Sequence, residues 1–467
     1  MSRKMSVITG CPFETIARLC QVVISFGGDN YPCVSFSISS PSTRFIRMSA
    51  GFGLIPPALQ YRNYRLFFGG QGLSLIGTWM QRIAMSWLVY RLTNSTFLLG
   101  LVGFTSQIPI FLLTPFAGVL ADRMDRRRVL VVTQTLAMIQ AFVLTVLVLT
   151  GTTAVWHIIC LSVFLGIVDA FDMPIRQSFM VEMVQKKDLG SAIALNSSIV
   201  NCAQLLGPSI AGIIIASMGE GVCFLLNGVS YLFVIGSLIA MKIARRESER
   251  RNTHVLQEIK EGFFYAFGFA PIKFILLLLA LTSLVGIPYR VMMPVFAKDI
   301  LQGGPHTLGF LLAGAGVGAL GGSLYLASRR GVPGLERWIA LTAGFFGVGL
   351  VGFSHSRVFW LSLILVLLTG FGMMVQMASS NTVLQTIVEE DKRGRVMSLY
   401  AMAIRGMAPF GSLLVGSAAS RIGAPNTLMI SGLFCILGSA LFARKLRVLR
   451  EMVRPIYVKM GISARHL

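Results

Sequence analysis

Long runs without charge set the plan of this chain. No Asp, Glu, Lys or Arg falls between Leu92 and Ala121, between Val129 and Val168, or between Val358 and Val388. A helix needs about 20 apolar residues to cross the hydrocarbon core of a bilayer. The stretch 129–168 therefore predicts two spans with a turn near Thr150–Thr153. With Gly and Pro as breakers, the whole chain predicts twelve spans. In the first half they run at 66–90, 97–120, 129–149, 155–175, 196–217 and 221–241. In the second half they run at 273–295, 307–327, 336–354, 358–378, 398–419 and 424–443.

The chain also repeats. Shifted by 204 residues against itself, eight of the eleven glycines between Gly100 and Gly228 meet another glycine: Gly100/Gly304, Gly118/Gly322, Gly166/Gly370, Gly190/Gly394, Gly207/Gly411, Gly212/Gly416, Gly219/Gly423 and Gly228/Gly432. Trp156/Trp360 and Arg126/Arg330 match as well. The fold expected is an all-α membrane protein with twelve transmembrane helices in two six-helix repeats. An even number of spans per repeat orients both copies alike, about an axis along the membrane normal. The paired glycines are expected to mark close helix packing.

Composition agrees with this plan. Charged residues make up 13% of the chain and mean hydropathy is +0.73, against about 25% charged in soluble domains. The net charge of +22 would suit nucleic acid, but its placement argues otherwise. Basic residues gather in alternate loops: Arg123–Arg128, Arg176 with Lys186 and Lys187, Lys242–Arg251, Arg329 with Arg330, Lys392–Arg395, and a tail from Arg444. The loops between them are short and nearly neutral. By the positive-inside rule both termini are cytoplasmic, and no nucleic-acid partner is expected. Trp156 and Trp360 then open spans at the opposite face, as an aromatic belt does. Seven cysteines and five histidines show no CxxC pair and no ligand cluster, so neither a metal site nor a disulfide framework is expected, and nothing points to an enzyme or to ATP use.

These boundaries give five regions: residues 1–58, an extension poorly structured or not translated, with Met48 the preferred start; a six-helix bundle at 59–243; a cytoplasmic linker at 244–270; a second bundle at 271–445; and a basic tail at 446–467.

Two motifs carry chemistry. After the second span the chain reads Gly118-Val-Leu-Ala-Asp122-Arg123-Met-Asp125-Arg126-Arg127-Arg128. The small residue admits a neighbouring helix, Asp122 binds cationic or helix N-terminal groups, and the basic run stays in water. In span 5, Gly207-Pro208-Ser-Ile-Ala-Gly212 places a kinking proline between glycines. The first segment resembles motif A of the major facilitator superfamily, with Asp125 where that motif has Gly. There it holds the cytoplasmic gate shut in one state and releases it in the other. The second resembles motif C, typical of the superfamily's antiporters; its plainer reading is a packing kink with no bearing on direction. With Gly72–Arg82, Gly166–Gln177 and Gly394-Arg395-Val396, the chain is similar over residues 60–445 to the bacterial branch that includes the enterobactin exporter. The resemblance implies a monomeric transporter of the bacterial inner membrane, without cofactors, driven by the proton gradient.

Polar groups within spans are costly and therefore candidate sites. Asp169 lies about 14 residues into span 4, roughly 20 Å deep. Asp172 shares its face and precedes Arg176 by four residues, so the two can pair. Either these groups form a structural ion-pair network at the gate, or Asp169 binds the coupling proton or a cationic part of the substrate. Gln81, Arg82, Arg290 and Arg405 either line the cavity, where guanidinium groups suit carboxylate, catecholate or phosphate, or snorkel and pair between helices. Asn201, Gln204, Gln376, Asn381 and Gln385 are further polar candidates. The function expected is proton-coupled efflux of a small amphipathic molecule such as a siderophore or drug. The alternative is import or uniport on the same fold. A non-transporting sensor or scaffold is disfavoured by the intact Asp122 and arginine run.

Overall fold

The computed structural model describes residues 56–121, 124–242, 263–329, 331–332 and 334–459. The start expected at Met48, the motif residues Asp122 and Arg123, and most of the linker lie outside them. The described chain forms twelve long helical segments: α1 Arg62–Thr93, α2 Thr96–Ala121, α3 Arg126–Leu149, α4 Val155–Met183, α5 Leu189–Met218 and α6 Glu220–Ala240; then α7 Ala270–Ile300, α8 Pro305–Ser328, α9 Leu335–His355, α10 Phe359–Ile387, α11 Arg393–Ile422 and α12 Ala424–Lys459. All but α1 contain a stretch long and apolar enough to cross a membrane. In α1 the run is interrupted by Gln71, Ser74, Thr78, Gln81 and Arg82. The helices overrun the expected spans chiefly at the ends joined by basic loops. There α4 continues to Met183, α10 to Ile387, and α12 runs on to Lys459 through the segment expected to be a tail.

The glycine pairs explain how six helices are arranged twice. Gly166 sets α4 against α2 at Ser106, and Gly370 sets α10 against α8 at Ala315. Gly207 sets α5 against α1 at Trp79, and Gly411 sets α11 against α7 at Leu284. Gly228 brings α6 to Phe142 of α3, and Gly432 brings α12 to Gly347 of α9. Each pair thus serves the same helix crossing in both halves, where a Cβ would collide with its neighbour.

Not every pair does so. Gly190 and Gly394 have nothing within 4 Å of a would-be Cβ. Gly219 and Gly423 both adopt φ of +84° after α5 and α11, so they end helices in a conformation that favours glycine. Close packing accounts for only part of the repeat signal.

Three segments of the second half depart from regular α-helix. In α7, π-helical turns occupy Thr282–Gly286 and Phe296–Ile300, and in α11 another occupies Met402–Gly406. The prolines explain them. A proline cannot donate to the carbonyl four residues earlier, so Pro288 frees that of Leu284, Pro294 that of Arg290 and Pro409 that of Arg405. One extra residue per turn rotates the side chains that follow, and such bulges concentrate at functional sites. By contrast α5 continues as helix through Pro208.

The two halves meet along α5 with α8 and α2 with α11. Named contacts between the halves run from the end bearing the short neutral loops to mid-depth. Gly212 packs on Pro305 and Gly309, and Gly416 on Gly100 and Thr96, with the added Cβ 2.6–3.1 Å from backbone atoms. Thr96 donates to the Gly416 carbonyl at 3.4 Å. Phe410 meets Phe104 and Phe111 edge-on, deeper in. Backbone on backbone leaves no room for water at these two crossings.

Candidate functional site

Asp169 and Asp172, expected on one face of α4, serve different neighbours. Asp172 is buried and turned to α3, where its carboxylate accepts from Gln134 Nε2 at 2.7 Å and Thr133 Oγ1 at 3.0 Å. Arg176, one turn along, completes the group at 3.4 Å. A buried carboxylate with three partners is a fixed structural node. Asp169 turns toward α1 instead. Its carboxylate meets Arg82 of α1 at 3.5 Å, a long and single contact, with about a third of the side chain still accessible. Arg82 also lies 5.1 Å from the centre of the Trp79 ring.

Gln81, a candidate for the cavity, is directed away from it. It is 1% exposed, donates to Gln140 of α3 at 2.8 Å and accepts from Asn227 of α6 at 2.7 Å. Its neighbour Arg82 falls about 100° further round the helix and reaches the open side. Gln376 likewise donates to Thr282 at 3.2 Å, and Gln385 to Asn381 at 2.8 Å within their own helix.

A cavity of about 150 Å³ lies between the halves, lined by Trp79, Arg82, Ile83 and Ser86 of α1, Gln204 and Pro208 of α5, Arg290 and Val291 of α7, and Leu312 and Gly316 of α8. Two arginines from opposite halves thus face one space. Arg290 follows the first π-helical turn of α7; its Nε is buried and has no hydrogen-bond partner. Arg405 sits within the π-helical turn of α11, where its guanidinium touches the Met173 sulfur of α4 at 3.0 Å and is close enough to Arg82 for the two charges to repel. Pro208 belongs to the cavity wall, between Gly207 packed on α1 and Gly212 packed on α8. In this setting the Gly-Pro motif joins three helices tightly.

At the neutral-loop end a polar latch spans the halves. The Tyr90 hydroxyl donates to the Asp299 carboxylate, while Lys298 donates to Asn94 at 2.6 Å and lies 5.4 Å from the Tyr90 ring centre. No pattern in the residues marks this pairing, since the partners lie about 200 residues apart and none sits in a motif. Asn94 and Lys298 are nevertheless separated by the repeat shift of 204.

At the other end the basic run does not simply stay in water. Arg126 binds Glu182 of α4 at 2.6 Å, and Arg127 donates to the Leu238 and Ile239 carbonyls that end α6, at 2.7 and 2.6 Å. The unsatisfied carbonyls of a helix end attract such a cation. Asp125 caps α3 by accepting from the Arg128 amide at 3.2 Å. Gly118 lies in the last turns of α2. In the matching region of the second half, Arg329 lies 5.5 Å from the Trp338 ring centre. Farther along, Glu389 holds the Lys392 ammonium above its ordinary range by hydrogen bonding it at 2.7 Å. Among the described residues no group of three or more His, Cys, Asp or Glu is placed to hold a metal ion.

Known proteins place this architecture. The chain is 26% identical over 395 residues to the staphyloferrin A transporter of Staphylococcus aureus, covering 83% of this chain and 98% of that one. It is 22% identical to macrolide efflux protein A of Streptococcus pyogenes, covering 81% and 95%, and 25% identical to the enterobactin exporter of Shigella boydii, covering 76% and 84%. The fold matches the D-xylose-proton symporter with a TM-score of 0.65 at 16% identity, covering 82% and 97%. It also matches an inward-facing bacterial homologue of the lysosomal transporter Spinster, with a TM-score of 0.64 at 13% identity, covering 84% and 98%. The family model described as transmembrane secretion effector matches residues 57–454. The chain is therefore a transporter, not an enzyme, and it belongs to the transmembrane secretion effector family of the major facilitator superfamily.

Proposed function

We propose that this protein exports a small amphipathic molecule, a siderophore or drug, from the bacterial cytoplasm in exchange for protons. The observation that carries the reading is Asp169, a carboxylate held by one long contact to Arg82 of the cavity wall. A group so held gains or loses a proton at low structural cost, unlike Asp172 with its three partners. Support for efflux comes from relatives whose names denote efflux and export, and from the Gly207-Pro208-Gly212 motif. The protein acts as a monomer in the inner membrane, without a cofactor, and both termini are cytoplasmic. With the basic loops inside, the tight crossings close the outer face, and the cavity belongs to an inward-facing state.

Alternating access then has a physical sequence. Substrate enters the cavity between α1, α5, α7 and α8. The halves rock; the Gly212/Gly309 and Gly100/Gly416 crossings and the Tyr90–Asp299 latch part; and motif A at Gly118, Asp122 and Arg123 closes the cytoplasmic side. A proton taken up by Asp169 in the outward state accompanies the return. Each charge moving down the membrane potential supplies about 2.3 kcal/mol per 100 mV.

One observation favours a second reading, uptake with protons. Because Asp169 pairs with Arg82, a substrate group that takes Arg82 leaves Asp169 free to bind a proton, and the two then move together. Proteoliposomes loaded with a pH indicator separate the readings. Exchange requires proton movement opposite to that of added macrolide or siderophore; co-movement overturns export by antiport and establishes the second reading.

A further inference from the structure

We propose that the central cavity selects an anionic substrate, an aryl or alkyl carboxylate or phosphate, held between Arg82 of the first half and Arg290 and Arg405 of the second. The inference rests on the transport reading above but not on its direction.

The charges facing this region do not balance. Asp172 is used by Arg176, Gln134 and Thr133 where α4 meets α3. That leaves Asp169 as the carboxylate beside Arg82, while Arg290 and Arg405 add two further guanidinium groups. The buried Nε of Arg290 has no hydrogen-bond partner, and the short polar contact of Arg405 is to a methionine sulfur. An arginine that served packing alone would find a carbonyl or carboxylate, because a buried unpaired charge is costly. The missing partner is an acceptor. It is a compact, multi-oxygen acceptor, because guanidinium forks match carboxylate and phosphate. Trp79, Ile83, Val291 and Leu312 on the same walls suit an attached apolar body. The broken helices fit the same purpose: the π-helical turns place Arg290 and Arg405 toward the first half, and the prolines that cause them have no counterpart in the glycine pattern shared by the two halves.

Equilibrium binding to the full-length protein in phosphatidylcholine nanodiscs tests this, with 2-naphthoate, its neutral amide and 2-naphthylmethylammonium as probes. The carboxylate should bind at least about tenfold more tightly than the amide and quench tryptophan emission through Trp79, and the ammonium should not compete. Charge-assisted hydrogen bonds of the usual strength give about that ratio. Arg290→Gln and Arg82→Gln should each erase about tenfold of the preference, Arg290→Lys should restore part of it, and Arg91→Gln, whose partner is Glu220 at the neutral-loop end, should leave it unchanged. Equal binding of carboxylate and amide, tighter binding of the ammonium, or indifference to Arg290→Gln overturns the proposal. So does loss of naphthoate binding when phosphatidylglycerol is added, which assigns the arginines to a lipid headgroup. Carboxylate-selective binding without proton-driven exchange in vesicles leaves this site standing and removes only the antiport reading. Exchange without carboxylate selectivity does the reverse.

Discussion

The two halves share their crossings and differ in what fills them. In the first half, polar side chains tie helices together: Gln81, Gln140 and Asn227 join α1, α3 and α6, and Asp172 joins α4 to α3. The second half has such ties as well, Gln376 of α10 to Thr282 of α7 and Tyr457 of α12 to Glu336 of α9, but they are neutral side chains and one end pair rather than a buried Asp–Arg node. What sets it apart is irregularity of the backbone, in the π-helical turns of α7 and α11. The first half holds Asp169 and Arg82 on continuous helices; the second presents Arg290 and Arg405 from helices broken by proline. The repeat thus keeps the helix crossings and divides the polar groups between the halves.

Four changes sharpen this contrast, beginning with the strongest. Asp169→Asn should abolish proton exchange while leaving the thermal midpoint near that of wild type, because one long contact is lost. Indicator-loaded proteoliposomes and a melting curve check both parts. Asp172→Ala should do the opposite. It strands Arg176 and Gln134 in the interior, costs about 3 kcal/mol or more, and lowers the midpoint while exchange survives in the folded fraction. If the two substitutions behave alike, the distinction between node and site fails.

Wedges at the closed end come next. Leu at Gly212 or Gly416 meets backbone that cannot yield, at about 1–3 kcal/mol. That should raise maleimide labelling of Thr96→Cys from outside severalfold in a background without other cysteines; unchanged labelling means these crossings do not hold the seal. The smallest effect is expected of Tyr90→Phe. It removes one hydrogen bond to Asp299, worth about 1–3 kcal/mol when the acceptor is charged, and should shift the same labelling in the same direction by less.

Much of this was legible in the residues. Hydropathy and breaker residues located all twelve helices, because the cost of polar groups in hydrocarbon is large and local. Part of the 204-residue repeat located crossings, because backbone contact tolerates little beyond hydrogen, while Gly219 and Gly423 mark helix ends and Gly190 and Gly394 mark neither. Direction around a helix was not legible. Gln81 and Arg82 are adjacent in sequence, yet one enters a buried network and the other the cavity. Asp169 and Asp172 diverge for the same reason: a rotation of about 300° over three residues leaves them some 60° apart, and neighbouring helices decide what each meets. The bulges of α7 and α11 were hidden as well. Pro288 and Pro409 announce a lost hydrogen bond, but whether a helix kinks, stops or widens depends on its packing. Pro208 shows as much, since α5 continues through it.

On the export reading, Asp169 couples protons without holding the fold or being indispensable to substrate binding. Counterflow in proteoliposomes, with no pH gradient, compared with accumulation driven by a gradient, measures this on a single preparation. For Asp169→Asn, gradient-driven accumulation should disappear while counterflow persists at a rate within a few-fold of wild type. Gradient-driven accumulation that survives the substitution would contradict it.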